Sequence, residues 1–443
     1  MIRKVFLTPF QKFIKIEGFS GILLLLSTII ALIWANSSFG NTYAELWDYK
    51  IGISGEGFEL KKPLLLWIND GLMAIFFFLI GLEIKREVLI GELNSVKKLA
   101  FPLFGAIGGA LIPVGLYILL NQNPETFKGW GIPMATDIAF SLAVLNALGK
   151  RVPLSLKIFL IAFAIVDDIE AVLVIAIFYS GTIKTTLLLI ALGLLAVLYF
   201  LSYKGYYSKF ILFFTGVVVW VLFLKSGVHP TVAGILLAFS VPISQKINSS
   251  TFITQLEKVY NNIKSASILR KPILSNEQIE SMDDLESWSN KFQSPLQHLE
   301  HNLHGWVAYF IIPVFALANA GVLIDSSAGI EVTLVINIVI CLVLGKGLGI
   351  PIVIFIAEKL NLLQIPADIN FKQIIGVSFI AGIGFTMAIF VASLAFTSSP
   401  EYISSAKIGI LLGSLISAVI GYLILRFGTK KNTVLKKGMR IVQ

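Results

Sequence analysis

Long apolar runs alternate with short polar stretches along the whole chain. A helix needs about twenty apolar residues to cross the hydrocarbon core of a membrane. On that measure the pattern predicts about twelve spans, at 16–36, 64–84, 99–120, 129–148, 154–179, 183–202, 208–224, 227–243, 304–323, 333–357, 374–396 and 403–426. The span at 227–243 is short. An even number of spans places both ends of the chain on one side. The first run follows Arg3, Lys4, Lys12 and Lys15 and resembles a signal peptide. Its polar lead is long and the run approaches spanning length, so it is expected to remain as the first helix.

Two polar stretches carry structure of their own inside what otherwise reads as one transmembrane domain, 1–443. In the loop 41–62, apolar residues alternate around a glycine-rich turn from Tyr49 to Leu60, which predicts a short β-hairpin outside the membrane. Such a hairpin can pair with a second copy or remain an ordinary surface feature. The stretch 244–303 has few core-forming residues and is expected to be a partly helical, partly flexible cytoplasmic insertion.

Composition agrees with the pattern. Of 443 residues, 56% are hydrophobic and 14% charged, against about a quarter charged in soluble domains. The net charge of +9 raises the question of a nucleic-acid partner, and the placement of the charges answers it. With the N-terminus inside, and each residue near a span end counted with its adjoining loop, inside segments hold 27 lysines and arginines and outside loops 7. Lysine and arginine concentrate in cytoplasmic loops of membrane proteins. The bias therefore supports the span count, the orientation with both termini cytoplasmic, and a bilayer rather than nucleic acid as partner. The single cysteine, Cys341, cannot form an internal disulfide. Nothing in the sequence calls for a cofactor.

Two spans are interrupted. One reads Gly129-Trp-Gly-Ile-Pro-Met-Ala-Thr-Asp137, where Pro133 lacks an amide hydrogen and clashes with the preceding turn. The other reads Ala381-Gly-Ile-Gly-Phe-Thr386. The first is the middle of spans 3–5 and the second the middle of spans 10–12, and these triplets enter the membrane from opposite sides. That is the layout of two inverted repeats, and interrupted segments at matching positions point to a substrate site near the midplane. Glycine and proline are frequent in membrane helices, so simple packing is the competing reading.

Charges inside the spans sharpen the picture. A charge at the bilayer centre costs roughly 3 kcal/mol on insertion scales. Asp167 and Asp168 lie mid-span, and Glu170 follows Asp167 by three residues, on roughly the same helix face. Asp137 follows the Pro133 break and Lys346 sits deep in the tenth span. A structural ion-pair network is the bland alternative, but neighbouring aspartates point about 100° apart, so one lysine does not neutralise both. Carboxylates are hard oxygen ligands, and the rule for calcium and magnesium extends to sodium. They also bind protons, more readily when buried or beside another negative charge. Protons and sodium ions then compete for the same oxygens, and a site open to each side in turn exchanges one for the other. Each broken helix also brings partial charges inward. Asp137 is placed to offset the N-terminal ends, while Lys346 offsets the C-terminal ends or pairs with an aspartate.

At these residues the chain closely resembles the NhaA-type sodium/proton antiporters, from about residue 10 to 427 outside 244–297. The matching stretches are Leu66-Trp-Ile-Asn-Asp-Gly-Leu-Met-Ala, Gly81-Leu-Glu-Ile-Lys-Arg-Glu, Ala135-Thr-Asp-Ile-Ala-Phe-Ser, Ala164-Ile-Val-Asp-Asp, Ser226-Gly-Val-His-Pro-Thr, Phe315-Ala-Leu-Ala-Asn-Ala-Gly and Gly382-Ile-Gly-Phe-Thr-Met. That family is itself a known inverted-repeat fold, so the repeat pattern and the resemblance are not independent. The resemblance implies an all-α polytopic membrane protein in the bacterial inner membrane, with two broken helices crossing near the midplane. It implies an electrogenic exchanger of sodium or lithium for protons, switched off at acid pH. It places the cation and proton site on Asp167 and Asp168, and supporting roles on Thr136, Asp137 and Lys346, with the lysine paired to the first aspartate. It places pH response on Glu83, Glu87, His229, Glu300, His301 and His304, and a homodimer on the external hairpin.

Those pH-response positions have plainer readings. Glu83 to Glu87 is also an ordinary solvated helix end. The three-residue spacing of His298, His301 and His304 suggests a metal site only weakly, since no cysteine is near. An imidazole titrates in the relevant range. The chain departs from the family pattern twice. Glu170 stands where glycine is usual, and an extra carboxylate there is expected to modify coupling or selectivity if it faces the site. The insertion falls just before the histidines and puts transfer of their role in question. An organic-anion symporter on the same fold is the alternative transporter, although Lys346 is the one membrane cation it has to offer. A channel without proton coupling is another reading. A prenyltransferase needs a further aspartate where Ala171 stands, and membrane aspartyl proteases carry their aspartates on separate helices, so no enzyme is expected.

Overall fold

The structure is a computed structural model that describes residues 9–428, apart from 56–57, 92–93, 246, 267–272, 324–328 and 398. The side of the membrane expected for residues 1–8 and 429–443, with Arg3 and Lys4 among them, lies outside the described residues.

Helices form wherever the apolar runs lie, because a backbone in lipid must satisfy its own hydrogen bonds. The long first helix α1 (Pro9–Ala35) leads to a short amphipathic α2 (Gly40–Asp48). Strands β1 (Lys50–Gly55) and β2 (Phe58–Pro63) then pair antiparallel, from Lys50 opposite Pro63 to Gly55 opposite Phe58. This is the expected hairpin. It is tied down by Trp67, whose indole donates to the Ile51 carbonyl at 2.8 Å.

The helices that follow are α3 (Leu64–Ile90), α4 (Val96–Leu120), a 3-10 stretch Pro124–Met134 leading to α5 (Ile138–Ala147), α6 (Leu154–Phe178), α7 (Thr185–Tyr203), α8 (Lys209–Ser226) and α9 (Pro230–Phe239). The stretch 244–303 contributes α10 (Ser249–Ala266) and α11 (Asn276–Phe292), packed together with Phe252 stacked on Phe292 at 4.3 Å. Then come α12 (Pro295–Asn319), α13 (Val332–Lys359), α14 (Phe371–Ala381), α15 (Phe385–Ala395) and α16 (Pro400–Gly428).

Among the described residues eight helices are long and apolar enough to cross a membrane, and α14 with α15, bent by 45°, makes a ninth. The other three expected spans fall on α6, α5 and α9. α6 has 25 residues but carries Lys157, Asp167, Asp168 and Glu170. α5 and α9 have 10 residues each, about half the reach a crossing needs at 1.5 Å per residue. Length and composition alone thus account for nine of the twelve.

The outside of the bundle is apolar: Phe210, Phe213, Phe214 and Leu189 are all well exposed. The inside holds the polar groups, with Asn69, Asp137, Asp167, Asp168 and Lys346 buried. This inversion suits a protein solvated by lipid. Lipid tails give no hydrophobic drive for helix association, so close approach through small residues does that work. At Gly234 of α9, a Cβ would stand 2.3 Å from the Ala74 carbonyl of α3, so these helices touch backbone to backbone.

Candidate functional site

The two interrupted elements meet where their regular hydrogen bonding stops. The 3-10 stretch ends at Met134 and α5 starts at Ile138, while α14 ends at Ala381 and α15 starts at Phe385. The free backbone on each side pairs with the other. The Asp137 amide donates to the Ile383 carbonyl at 2.7 Å, and the Thr136 hydroxyl donates to the Ala381 carbonyl at 2.9 Å. Ser141 adds a bond to the Ile380 carbonyl at 3.1 Å. Gly382 permits the approach, since a Cβ there would lie 2.5 Å from the Leu342 carbonyl.

Two helix N-termini, of α5 and α15, are buried at this crossing, and each leaves amide donors and partial positive charge. The Asp137 carboxylate answers both. Its Oδ1 accepts from the Phe140 amide at 2.9 Å, and its Oδ2 accepts from the Thr386 amide at 3.2 Å and the Thr386 hydroxyl at 2.5 Å. Thr386 as its partner was not foreseen from the sequence. The available signal was its place in the first turn after the second break.

Lys346 ends a widened π-helical turn, Cys341–Lys346, within α13. Such turns shift side-chain register and recur at functional sites. Its ammonium is fully buried. It donates to the Thr136 hydroxyl at 2.5 Å and pairs with Asp167 Oδ2 at 3.2 Å, with the Phe163 ring 5.8 Å away. Thr136 therefore passes the lysine's charge on to the end of α14. The sequence left Lys346 a choice between a helix end and an aspartate; it touches an aspartate directly and a helix end through one hydroxyl.

Asp167 and Asp168 are each 2% exposed. Asp167 Oδ1, Asp168 Oδ2 and Glu170 Oε2 are buried without a hydrogen-bond partner among the described residues. Buried acceptors are normally satisfied, at a penalty of about 1–3 kcal/mol when they are not. Oxygens of this kind take a proton or ligate a small hard cation. Glu170 is half-buried and within electrostatic reach of Asp167 and Lys346.

A cavity of about 40 Å³ adjoins Asp168, lined also by Glu83, Thr136, Asp137, His304 and Thr386. A water needs roughly 10–15 Å³ by this measure, so about three fit. The cavity lies between the middle parts of α3 and α12 and brings Glu83 and His304 to its wall together with Asp168, with Glu83 Oε1 and His304 Nδ1 at 3.9 Å. The other positions in the pH-response group stand apart. Glu87 and Glu300 both pair with Arg86, at 2.7 and 2.8 Å, and His301 is exposed. His229 caps α9 far along the chain fold, with Nε2 at 3.6 Å from Asp70, which also binds Lys62 of β2 at 2.7 Å.

Comparison with known proteins agrees in one direction. The model of the family described as Na+/H+ antiporter 1 matches residues 11–425. A protein named Na(+)/H(+) antiporter NhaA from Helicobacter pylori is 45% identical over 430 residues, 96% of this chain and 97% of that one. Another of that name from Oleidesulfovibrio alaskensis is 43% identical over 423 residues, 95% of this chain and 94% of that one. A protein named Na(+)/H(+) antiporter NhaA 1 from Aliarcobacter butzleri is 43% identical over 421 residues, 95% of this chain and 97% of that one.

Proposed function

Since this multi-pass chain belongs to the Na+/H+ antiporter 1 family, we propose that it exchanges sodium or lithium ions for protons at Asp167 and Asp168. One observation carries the reading. Two adjacent buried carboxylates, each with an oxygen lacking a donor among the described residues, lie beside the crossing of two broken helices, and one lysine pairs with the first of them. One ammonium does not neutralise two carboxylates, so the pair holds a further positive charge, either a proton or a small cation.

In this mechanism Asp168 faces the cavity and receives ions from it. A cation arriving there draws on Asp167 as well and displaces Lys346 from Oδ2. Protons return when the site faces the other side, and the two ligands never need to be bound together. Alternation follows from motion of the crossing elements around a fixed site. More protons than sodium ions move per cycle when both carboxylates, or one carboxylate and the lysine, change protonation, so exchange is electrogenic. Asp137 and Thr136 support the site by holding the crossing. Glu83 and His304, in the same cavity, join Glu87, Glu300, His301 and His229 as groups that tune activity with pH, and Glu170 modifies coupling. The protein sits in the bacterial inner membrane with both termini cytoplasmic and serves sodium and pH homeostasis. It dimerises through the hairpin, where Ile51 and Ile53 are exposed on an unpaired edge.

The test is sodium-driven proton movement in liposomes that hold the purified protein, followed with a pH-sensitive dye from about pH 6 to 9, a range that spans the free imidazole. Sodium and lithium are expected to move protons and potassium to fail, and Asp167→Asn to abolish the signal. No response to sodium at any pH overturns the proposal.

A further inference from the structure

α16 lies against the second break along a face of small residues. Gly413, Ser417 and Gly421 follow one another at four-residue steps and so stand on one side of the helix. A Cβ at Gly413 would meet the Leu342 side chain of α13 at 3.1 Å, and one at Gly421 would meet the Gly376 carbonyl of α14 at 2.8 Å. Small residues let helix backbones approach this closely in lipid. Ser417 stands between the two glycines, beside the break itself: a Cβ at Gly382 would lie 2.7 Å from its hydroxyl.

Two serines of α16, three residues apart, reach the region of the break, and they are used differently. The Phe385 amide, the first of α15, donates to Ser414 Oγ at 3.2 Å. A helix start leaves such amides without an intrahelical partner, and Ser414 supplies one from another helix. Ser417 is fully buried, yet its hydroxyl has no hydrogen-bond partner among the described residues. Buried polar groups are normally bonded, and one that is not weakens the state that contains it. Alanine would fill the same space without that cost, so the hydroxyl points to a second state in which it is used.

The surroundings of Gly382 identify the partner. The place of an added Cβ there is 2.7 Å from Ser417 Oγ and 2.5 Å from the Leu342 carbonyl. Leu342 belongs to the π-helical turn Cys341–Lys346, which carries the site lysine at its end. A carbonyl has two lone pairs, so Leu342 can accept from Ser417 and still serve its own helix. Gly382 brings no side chain between the two oxygens.

We propose that Ser417 is a positioning residue of the exchange site, whose hydroxyl donates to the Leu342 carbonyl when a cation displaces Lys346 from Asp167. The proposal rests on exchange at Asp167 and Asp168. Withdrawing the lysine shifts the turn that carries it, and a π-helical turn, already out of register with its flanking helix, is the place where such a shift is absorbed. The new bond holds the turn in its displaced position. Ser417 therefore favours the cation-bound state and adds nothing to the state in which Lys346 rests on Asp167.

The experiment uses the full chain, in detergent for thermal unfolding and in liposomes for sodium-driven proton movement. In sodium-free buffer Ser417→Ala is expected to melt at or above the wild-type temperature. The sodium concentration that gives half-maximal exchange is expected to rise about three- to tenfold, the factor that one neutral hydrogen bond contributes. Ser414→Ala, which removes a hydroxyl already in use, is expected to melt below wild type in the same buffer. A purely structural role for Ser417 would lower the melting temperature and leave the half-saturating sodium concentration alone. Either of those results in Ser417→Ala overturns the proposal while exchange by wild type stands. A wild type without sodium-driven exchange overturns the reading beneath it, and the proposal with it.

Discussion

Thr386 gives Asp137 both its amide, at 3.2 Å, and its hydroxyl, at 2.5 Å. Asp137 also takes the Phe140 amide, so one carboxylate closes the starts of two helices that arrive from different parts of the chain. Removing the hydroxyl while keeping the shape isolates this bond. Thr386→Val is expected to lose about 1.5–3 kcal/mol, the usual range for a hydrogen bond to a charged group. Thermal unfolding in detergent measures it, and a wild-type melting temperature would show that the bond is inert.

Neutralising Asp137 or Lys346 is expected to weaken the fold as well as transport. Asp137→Asn loses the charge that faces two helix starts. Lys346→Met leaves Asp167 buried beside Asp168 without its counter-ion, and removing one partner of a buried pair costs about 3–5 kcal/mol. If both variants melt like wild type, the site is not part of the frame that holds the crossing.

Gly382→Ala tests the close approach of backbones. The added Cβ would meet the Leu342 carbonyl at 2.5 Å and the Ser417 hydroxyl at 2.7 Å. Overpacking of this kind costs about 1–3 kcal/mol, and the shift carries the Ala381 carbonyl away from Thr136. A reduced exchange rate together with a lowered melting temperature is expected; unchanged values for both would mean the crossing absorbs a methyl group freely.

Glu170→Gly removes the third carboxylate near Lys346. With one negative charge fewer the site holds protons less tightly, so the curve of exchange against pH is expected to move toward lower pH. The measurement is the dye assay across the pH range. An unshifted curve takes Glu170 out of the mechanism.

Deleting the hairpin tests the assembly. Wild type is expected to run as a dimer in size-exclusion chromatography with light scattering, and a chain lacking residues 51–62 as a monomer. A dimer that survives the deletion places the interface elsewhere.

Much of this architecture was legible because lipid imposes strong rules on sequence. The apolar runs, the glycine and proline breaks at 129–137 and 381–386, and the charges at Asp137, Asp167, Asp168 and Lys346 each stand out against an apolar background. The hairpin was legible from alternation around its glycines. Partnerships across long sequence separations were not. Nothing in the pattern tells Asp137 to choose Thr386, or brings His304 and Glu83 to the cavity beside Asp168. The π-helical turns at Ile68–Leu72 and Cys341–Lys346 were also hidden, because one extra residue per turn is settled by packing and leaves hydropathy unchanged. The two 10-residue helices, α5 and α9, show the same limit from the other side: hydropathy marks where they lie but not how far they reach.

Lys346 uses two of its N–H bonds, one to Thr136 and one to Asp167. An ammonium has three and a neutral amine has two. The amine therefore keeps both bonds, since Thr136 spends its own hydrogen on the Ala381 carbonyl. The hydrogen bonds that tie this lysine to the crossing are thus compatible with both of its protonation states, whereas its ionic attraction to Asp167 is not. Losing a proton here would slacken the pull of Asp167 without cutting the tie to Thr136.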